Sequence, residues 1–213
     1  MEAIARLMDA AEYDAWYRTP RGQWIGETEF RLLSHMLQAK PGESLLDIGC
    51  GTAYFTRRFA QENGGAVIGL DPNLAWLRFA RAHPAGSERF VAGAGGKLPF
   101  SDRAFDRTVS VAALCFAQDQ PAFLSEMVRV TRRRFALGLL NRASLLYWQK
   151  GRQGGTGAYR GAHWHTANEI RALLERLPVN NVAVRSGVFL PAGGSLGRWM
   201  ERALPGCLPI GSF

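Results

Sequence analysis

The chain has 213 residues, 47% hydrophobic and 21% charged, enough apolar material for one substantial core and too little for two domains of ordinary size. Its formal net charge is +8, but the cations are mostly arginine and scattered. That favours a basic chain without an acidic partner, while leaving a nucleic acid or an anionic lipid surface open. Three cysteines without a CxxC pair argue against a disulfide framework and a metal site and fit a reducing cytoplasm, and no apolar run approaches the roughly 20 residues of a membrane span.

The first residues, MEAIARLMDAAEYDAW, carry early acids and read as an amphipathic helix around Ile4 to Ala11, not as a secretion leader. The aromatic segment YDAWYRTPRGQW leads to a second helix from Trp24 to Gln38. From Leu45, apolar strand-like runs alternate with helical ones: LLDIG, Thr52 to Glu62, VIGL, Asn73 to Ala82, RFVAG, DRTVSVAAL, Pro121 to Val130 and FALGLL. This is the pattern of βαβ units on a parallel sheet. Runs such as Val67-Ile68-Gly69-Leu70 are apolar on both faces, as strands covered by helices on both sides must be.

A glycine-rich loop follows from Gly151 to Gly157, then a helix from Thr166 to Leu177, with Thr166 and Glu169 spaced for a capping box. A strand from Val182 to Leu190 and a helix from Gly194 to Leu204 come next. LPIGSF starts like a strand at the chain end, so either the sheet edge is short or the chain is trimmed there. The expected fold is α/β: a doubly wound, Rossmann-like, mostly parallel sheet of seven strands or fewer at a truncated edge, with helices on both faces. Residues 1–213 form one domain, with a helical cap over 1–40, a cofactor-binding core over 41–142, and a substrate-side loop and C-terminal strands over 143–213.

In LLDIGCGTAYF a buried strand ends at Asp47, a tight turn carries Gly49, Cys50 and Gly51, and a helix opens at Thr52. Glycine there permits positive φ and close approach of a ligand, and amides at a helix N-terminus favour an anionic group. A dinucleotide fingerprint would have a third glycine at position 54, where Tyr54 stands. The second strand ends in Asp71 about 20 residues after the loop, placed to accept both hydroxyls of a ribose. Its structural alternative is a strand-end acid that caps the helix at Asn73.

With LLDIGCGTAYF, GLDPN, VAGAGGKLPFSDRAFD, SVAALCF and FLSEMVRVTRRRFALGLL in this order, the chain resembles the class I S-adenosylmethionine-dependent methyltransferases, above all the small-molecule branch of ubiquinone and menaquinone biosynthesis (type 11). The resemblance implies S-adenosylmethionine as cofactor and S-adenosylhomocysteine as product. It places Asp47, Gly49, Cys50 and Gly51 at the methionyl part, Asp71 and Pro72 at the ribose, and Gly95 and Gly96 at the adenine edge. Ser110 and Ala112 would then offer backbone atoms. Against the family pattern, Ala53 replaces a third glycine, and Ala94 replaces the acid that holds the adenine amino group. Arg132-Arg133-Arg134 stands where relatives have a helix-to-strand turn, a place where cations would answer the helix dipole.

On the substrate side, Tyr13 and Trp16 are the expected lid over the cofactor, since aromatic faces attract a sulfonium; the alternative is a hydrophobic cap on the sheet. Asn141, Tyr147, Tyr159, His163, Trp164 and His165 gather around the glycine-rich loop, the expected acceptor region. His163 or His165 is the candidate general base, with a plain loop histidine as the alternative. Asp119 reads as the N-cap of the helix at Pro121. The expected activity is methyl transfer to an O, N or C atom of a small molecule; the alternatives are an RNA or protein methyltransferase, or a module that binds the cofactor without catalysis.

Overall fold

The computed structural model describes residues 9–192, 194–203, 208 and 210–213. Two helices come first, α1 (Ala10–Trp16) and α2 (Pro20–Leu37). Alternating units follow: β1 (Leu45–Ile48), α3 (Tyr54–Asn63), β2 (Val67–Asp71), α4 (Leu74–Ala82), β3 (Arg89–Ala92), β4 (Phe105–Val111), α5 (Gln120–Val130) and β5 (Thr131–Gly138). After β5 come α6 (Ala167–Leu174) and α7 (Ser195–Ala203). The predicted helix at Ile4 to Ala11 lies mostly outside the described residues.

The five strands form one sheet in the order β3-β2-β1-β4-β5, and every pairing is parallel. The chain winds outward from β1 to β3, then returns to lay β4 on the other side of β1. This reversal opens a crevice beyond the carboxyl ends of β1 and β4, the place where such sheets bind ligands.

Neighbouring residues of one strand serve opposite layers. Leu45 packs with Phe30, Leu33, Phe55 and Phe59 of α2 and α3, while Leu46 and Ile48 pack with Leu124, Met127, Ile170 and Leu174 of α5 and α6. All four residues of β1 are buried, Asp47 among them, which explains why its other three positions are apolar on both faces.

Helix boundaries follow their caps. Thr19 accepts the Gly22 amide at 3.0 Å and Pro20 takes the first helical position, so α2 starts before Trp24. The capping box of Thr166 and Glu169 forms as expected. Asp119 caps α5 by accepting the Ala122 amide at 2.9 Å. The arginine triplet corrects an expectation: α5 passes into β5 at Thr131 with no turn between them, so the triplet lies within the strand. Arg132 bonds Asp106 at 2.7 Å, Arg133 lies 3.5 Å from the same carboxylate, and Arg134 donates to the Met36 carbonyl at 3.2 Å. These partners are on other segments, so the helix dipole is not what holds the triplet.

The predicted strand from Val182 to Leu190 is absent from the sheet, which has five strands among the described residues. Val188 sits at φ 59°, which interrupts an extended run. The amides of Val188 and Phe189 bond the Glu201 carboxylate on α7 at 2.9 and 3.1 Å. Gly187 and Val188 pair instead with the last two residues. Gly187 donates to the Phe213 carbonyl at 3.0 Å, Phe213 returns the bond at 3.2 Å, and Ser212 donates to Val188 at 3.1 Å.

Between β1 and α3, Ala53 adopts φ 73° while completely buried. A left-handed alanine costs about 1–2 kcal/mol, and the extra freedom that glycine gains on unfolding offsets about 0.4–1 kcal/mol. Ala53→Gly is therefore expected to leave stability unchanged or raise it by up to about 1 kcal/mol, whereas Ala60→Gly inside α3 costs about 1 kcal/mol or more. Urea denaturation of the two variants checks the contrast; equal losses would mean that the left-handed turn is not strained.

Candidate functional site

The glycine loop is held by the end of β2. Gly49 and Gly51 have φ of 79° and 58°, conformations that a side chain disfavours. The amides of Gly49 and Cys50 both donate to the Leu70 carbonyl, at 2.7 and 3.0 Å, and that of Gly51 donates to Asp71 Oδ2 at 2.9 Å. The other oxygen, Asp71 Oδ1, accepts the Asn73 amide at 2.8 Å, and Asn73 caps α4 in turn. This alters the expected chemistry of the loop: its amides are already used and offer no cradle to a phosphate. Asp71 has no solvent exposure. Burial pushes its carboxyl up to about 6, against the pull of the two amide bonds.

Asp47, at the end of β1, accepts Thr56 Oγ1 through Oδ2 at 2.6 Å. Its Oδ1 has no partner among the described residues, and the same holds for Thr52 Oγ1 and Ser110 Oγ, all three buried. Burial, with Asp71 nearby, pushes the Asp47 carboxyl up to about 7, while the Thr56 bond pulls it down. Burial first, then both acids, also raise the Cys50 thiol, so this thiol is a packing group and not a nucleophile.

An ion-paired chain ties α1 to this loop. Asp14 on α1 pairs with Arg57 on α3 and Arg18, and Arg57 donates to the Thr52 carbonyl at 2.8 Å. Tyr13 is thereby laid on Trp76, with ring centroids 5.0 Å apart. Trp76 in turn covers Gly51, where a Cβ would come within 3.2 Å of the indole. Tyr17 stacks on Tyr54 at 3.8 Å, and Gly26 makes room, since a Cβ there would sit 2.7 Å from the Tyr54 hydroxyl. Trp16 meets Tyr17 edge-on, one ring further from the loop than Tyr13. Asp14, Arg57 and Trp76 carry no motif in the sequence. The one available signal was Trp76's place on α4, one turn beyond the Asn73 cap.

Around the crevice, Pro72 is exposed beside Asp71. Gly95 is glycine because Phe123 fills the space of its Cβ at 2.2 Å, while Gly96 is open. Ala94 bridges Lys97 and leaves no acid at that point. Ala112 adopts φ 58° and its amide donates to Gly138 at 2.8 Å.

The segment after β5 is more folded than a free lid. Trp164 is buried against Tyr147 and Tyr159, with centroids at 5.4 and 5.5 Å, and it occupies the space a Cβ on Gly151 would need. The amide of His163 donates to the Cys115 carbonyl at 2.7 Å, and that of His165 to Leu140 at 2.9 Å. This pins the segment to the carboxyl ends of β4 and β5. His163 is exposed. His165 is buried, with Nε2 3.1 Å from Gln120 Oε1 and Nδ1 3.9 Å from Cys115 Sγ. Burial, with His163 beside it, lowers its imidazole to about 4, so it is neutral and weakly basic at pH 7.

Among the described residues no group of three or more His, Cys, Asp or Glu is placed to hold a metal ion, and no helix is long and apolar enough to cross a membrane.

Residues 46–135 match the family described as "Methyltransferase domain". The chain is similar to an uncharacterised protein of Mycobacterium tuberculosis, 34% identical over 195 residues that cover 87% of this chain and 63% of the relative. It thus spans less than two thirds of that relative's length. A malonyl-[acyl-carrier protein] O-methyltransferase of Serratia marcescens is 39% identical over 123 residues, covering 58% of this chain and 45% of the relative. The fold matches that of a crystal structure from Thermotoga maritima, described as a SAM-dependent methyltransferase and possible histamine N-methyltransferase. The TM-score is 0.73 at 21% identity, over 87% of this chain and 84% of that one.

Asp47 yields a pH prediction. Between the ordinary carboxyl value of 3.8 and about 7, the unfolded chain has lost the proton that the folded one keeps. Unfolding in this window therefore releases a proton, and stability falls as pH rises. Asp47→Asn removes that proton and is expected to raise the melting temperature at pH 8 while flattening its decline between about pH 4 and 7. Thermal melts of both proteins across this range check it; an unchanged slope would show that Asp47 is ionised in the fold.

Proposed function

We propose that this chain is an S-adenosylmethionine-dependent methyltransferase, transferring a methyl group to an O, N or C atom of a small molecule. The observation that carries this reading is the loop closed by Asp71. With the amides of Gly49, Cys50 and Gly51 spent on Leu70 and Asp71, the crevice suits a nucleoside without phosphates and disfavours a dinucleotide.

The residues present fit that group. Asp71 keeps unused lone pairs for ribose hydroxyls, beside Pro72. The unpartnered Asp47 Oδ1 and the loop residues Gly49, Cys50 and Gly51 would face the methionyl end, with Ser110 and Ala112 at the end of β4. Gly95 and Gly96 would line the adenine edge, and Tyr13, with Trp16 behind it, would close the lid. Once bound, the cofactor supplies an electrophilic methyl on a sulfonium, and S-adenosylhomocysteine is what remains. The protein's part is to align the acceptor with that methyl and to keep water out.

The cap over 1–40, the core over 41–142 and the acceptor side over 143–213 divide this work in one domain. The free thiols of Cys50 and Cys115 support a cytoplasmic setting. The name of the Serratia relative supports O-methylation as one option. The missing acid at Ala94 supports a second reading, a module that binds the cofactor without turnover. An RNA acceptor has less support, because Arg132 and Arg133 face the carboxylates of Asp106 and Glu43.

Calorimetric titration is expected to give binding of S-adenosylmethionine and S-adenosylhomocysteine and none of NAD. Asp71→Ala removes a charged acceptor worth about 1.5–3 kcal/mol per hydrogen bond, so affinity should fall about 10- to 100-fold. A chain that binds NAD and neither of the other two would overturn the reading. A base role for the histidines has its own check once an acceptor is in hand: His163→Asn and His165→Asn at full turnover would end it.

A further inference from the structure

The segment after β5 has two faces. On the inner one, Leu146 and Tyr147 pack with Trp164 and Cys115. On the outer one, Leu145 and Trp148 are 45% and 65% exposed, three residues apart along a helical turn, the spacing that makes side chains neighbours. Single exposed apolar residues are ordinary, but an adjoining pair points to a surface that meets another body. Arg152 lies over the Trp148 ring, its Cζ 4.7 Å from the centroid, and so covers one face of the indole.

Cations surround this pair, and no acid answers them. Lys150 and Arg152 follow Trp148, and the chain then folds back on itself. The Thr156 amide donates to the Lys150 carbonyl at 2.9 Å, and that of Gly161 to the Gly154 carbonyl at 2.8 Å. A Cβ on Gly155 would lie 3.2 Å from Arg160 Cα, so the returning limb brings Arg160 back beside the loop that starts at Arg152. Lys150, Arg152 and Arg160 are exposed and enter no ion pair among the described residues, unlike Arg132 and Arg133 of β5. Between Glu126 and Glu169 the sequence holds no acidic residue.

An exposed Trp and Leu among unpaired cations is the composition of a membrane-surface anchor. The indole and the leucine enter the headgroup boundary, and the cations stay with the lipid phosphates. A nucleic acid would use the cations but not Leu145, which can neither stack on a base nor hydrogen-bond to one. Arg152 also occupies one of the two faces that Trp148 could offer to a base.

We propose that the face of Leu145, Trp148, Lys150, Arg152 and Arg160 docks the protein on an anionic lipid bilayer. This goes beyond the methyltransferase reading and does not depend on it. Tyr147, on the inner face of the same turn, belongs to the proposed acceptor side, so docking sets that side against the lipid.

The test is co-sedimentation of the whole chain with vesicles of phosphatidylcholine alone, or with about a third of the lipid replaced by phosphatidylglycerol. Binding is expected on the anionic vesicles, to weaken as salt is raised, and to be at least ten-fold weaker on the neutral ones. Trp148→Ala should lower anionic-vesicle affinity about ten-fold or more. Lys150→Gln combined with Arg160→Gln should lower it about 25-fold, at roughly five-fold per cation. Both variants should keep the wild-type melting temperature and S-adenosylhomocysteine affinity, which separates lost docking from lost folding. The proposal fails if the chain does not distinguish the two kinds of vesicle, or if either variant binds the anionic ones as the wild type does. It fails equally if the chain ignores vesicles but binds single-stranded RNA, or self-associates, in a manner that Trp148→Ala abolishes. Vesicle binding without S-adenosylmethionine binding would defeat the methyltransferase reading and leave the docking face standing.

Discussion

The Asp71 carboxylate is the constraint on which the crevice depends. A fully buried acid is unfavourable on its own, and here two backbone amides, of Gly51 and Asn73, offset its desolvation. Those bonds fix three things together: the course of the glycine loop, the start of α4 and the distance between β1 and β2 at their carboxyl ends. Through α4 they also place Trp76 over Gly51, and through Trp76 they seat Tyr13. The proposed lid therefore rests on the same carboxylate that shapes the loop.

The charge of the whole chain and that of the crevice have opposite signs. A net charge of +8 points to an acidic partner, but many arginines are answered where they stand. Arg107 meets Glu43 at 2.9 Å, and Arg129 meets Glu126 at 2.6 Å and Asp102 at 2.8 Å. These pairs gather at the amino-terminal side of the sheet, around Ser44, Asp106 and Arg132. At the carboxyl ends the pattern reverses. Asp47 and Asp71 are buried carboxylates held above their ordinary range by desolvation, and no cation pairs with either among the described residues. A site of this kind favours a positively charged occupant, because such a ligand relieves strain that the fold already carries.

Much of the architecture was legible in the sequence, because strands buried on both faces must be apolar throughout and their caps are local. The runs at Leu45, Val67 and Val109 and the caps at Asp119 and Thr166 were of this kind. The expected strand from Val182 to Leu190 is interrupted at Val188, whose amide, with that of Phe189, is taken by the Glu201 carboxylate on a later helix. The arginine triplet misled in a similar way, since its partners Asp106, Glu43 and the Met36 carbonyl lie far from it in sequence. In the candidate site, the glycines and Asp71 stand in a recognisable order. Asp14, Arg57 and Trp76 do not; each is an ordinary residue on a helix until the fold brings its partner.

That difference follows how the two halves of the crevice are made. The cofactor side comes from consecutive strand-to-helix turns of one sheet, so its residues keep fixed spacing and read as a motif. The other side is assembled from α1, α2 and the segment after β5, which meet only through side chains such as Tyr17 on Tyr54 and Trp164 on Tyr159. Substitutions there can reshape the proposed acceptor side without disturbing the bonds that Asp71 makes, which is how one scaffold comes to serve many chemistries. Specificity in this chain must accordingly be sought in contacts between its helices, where neither spacing nor order in the sequence records it.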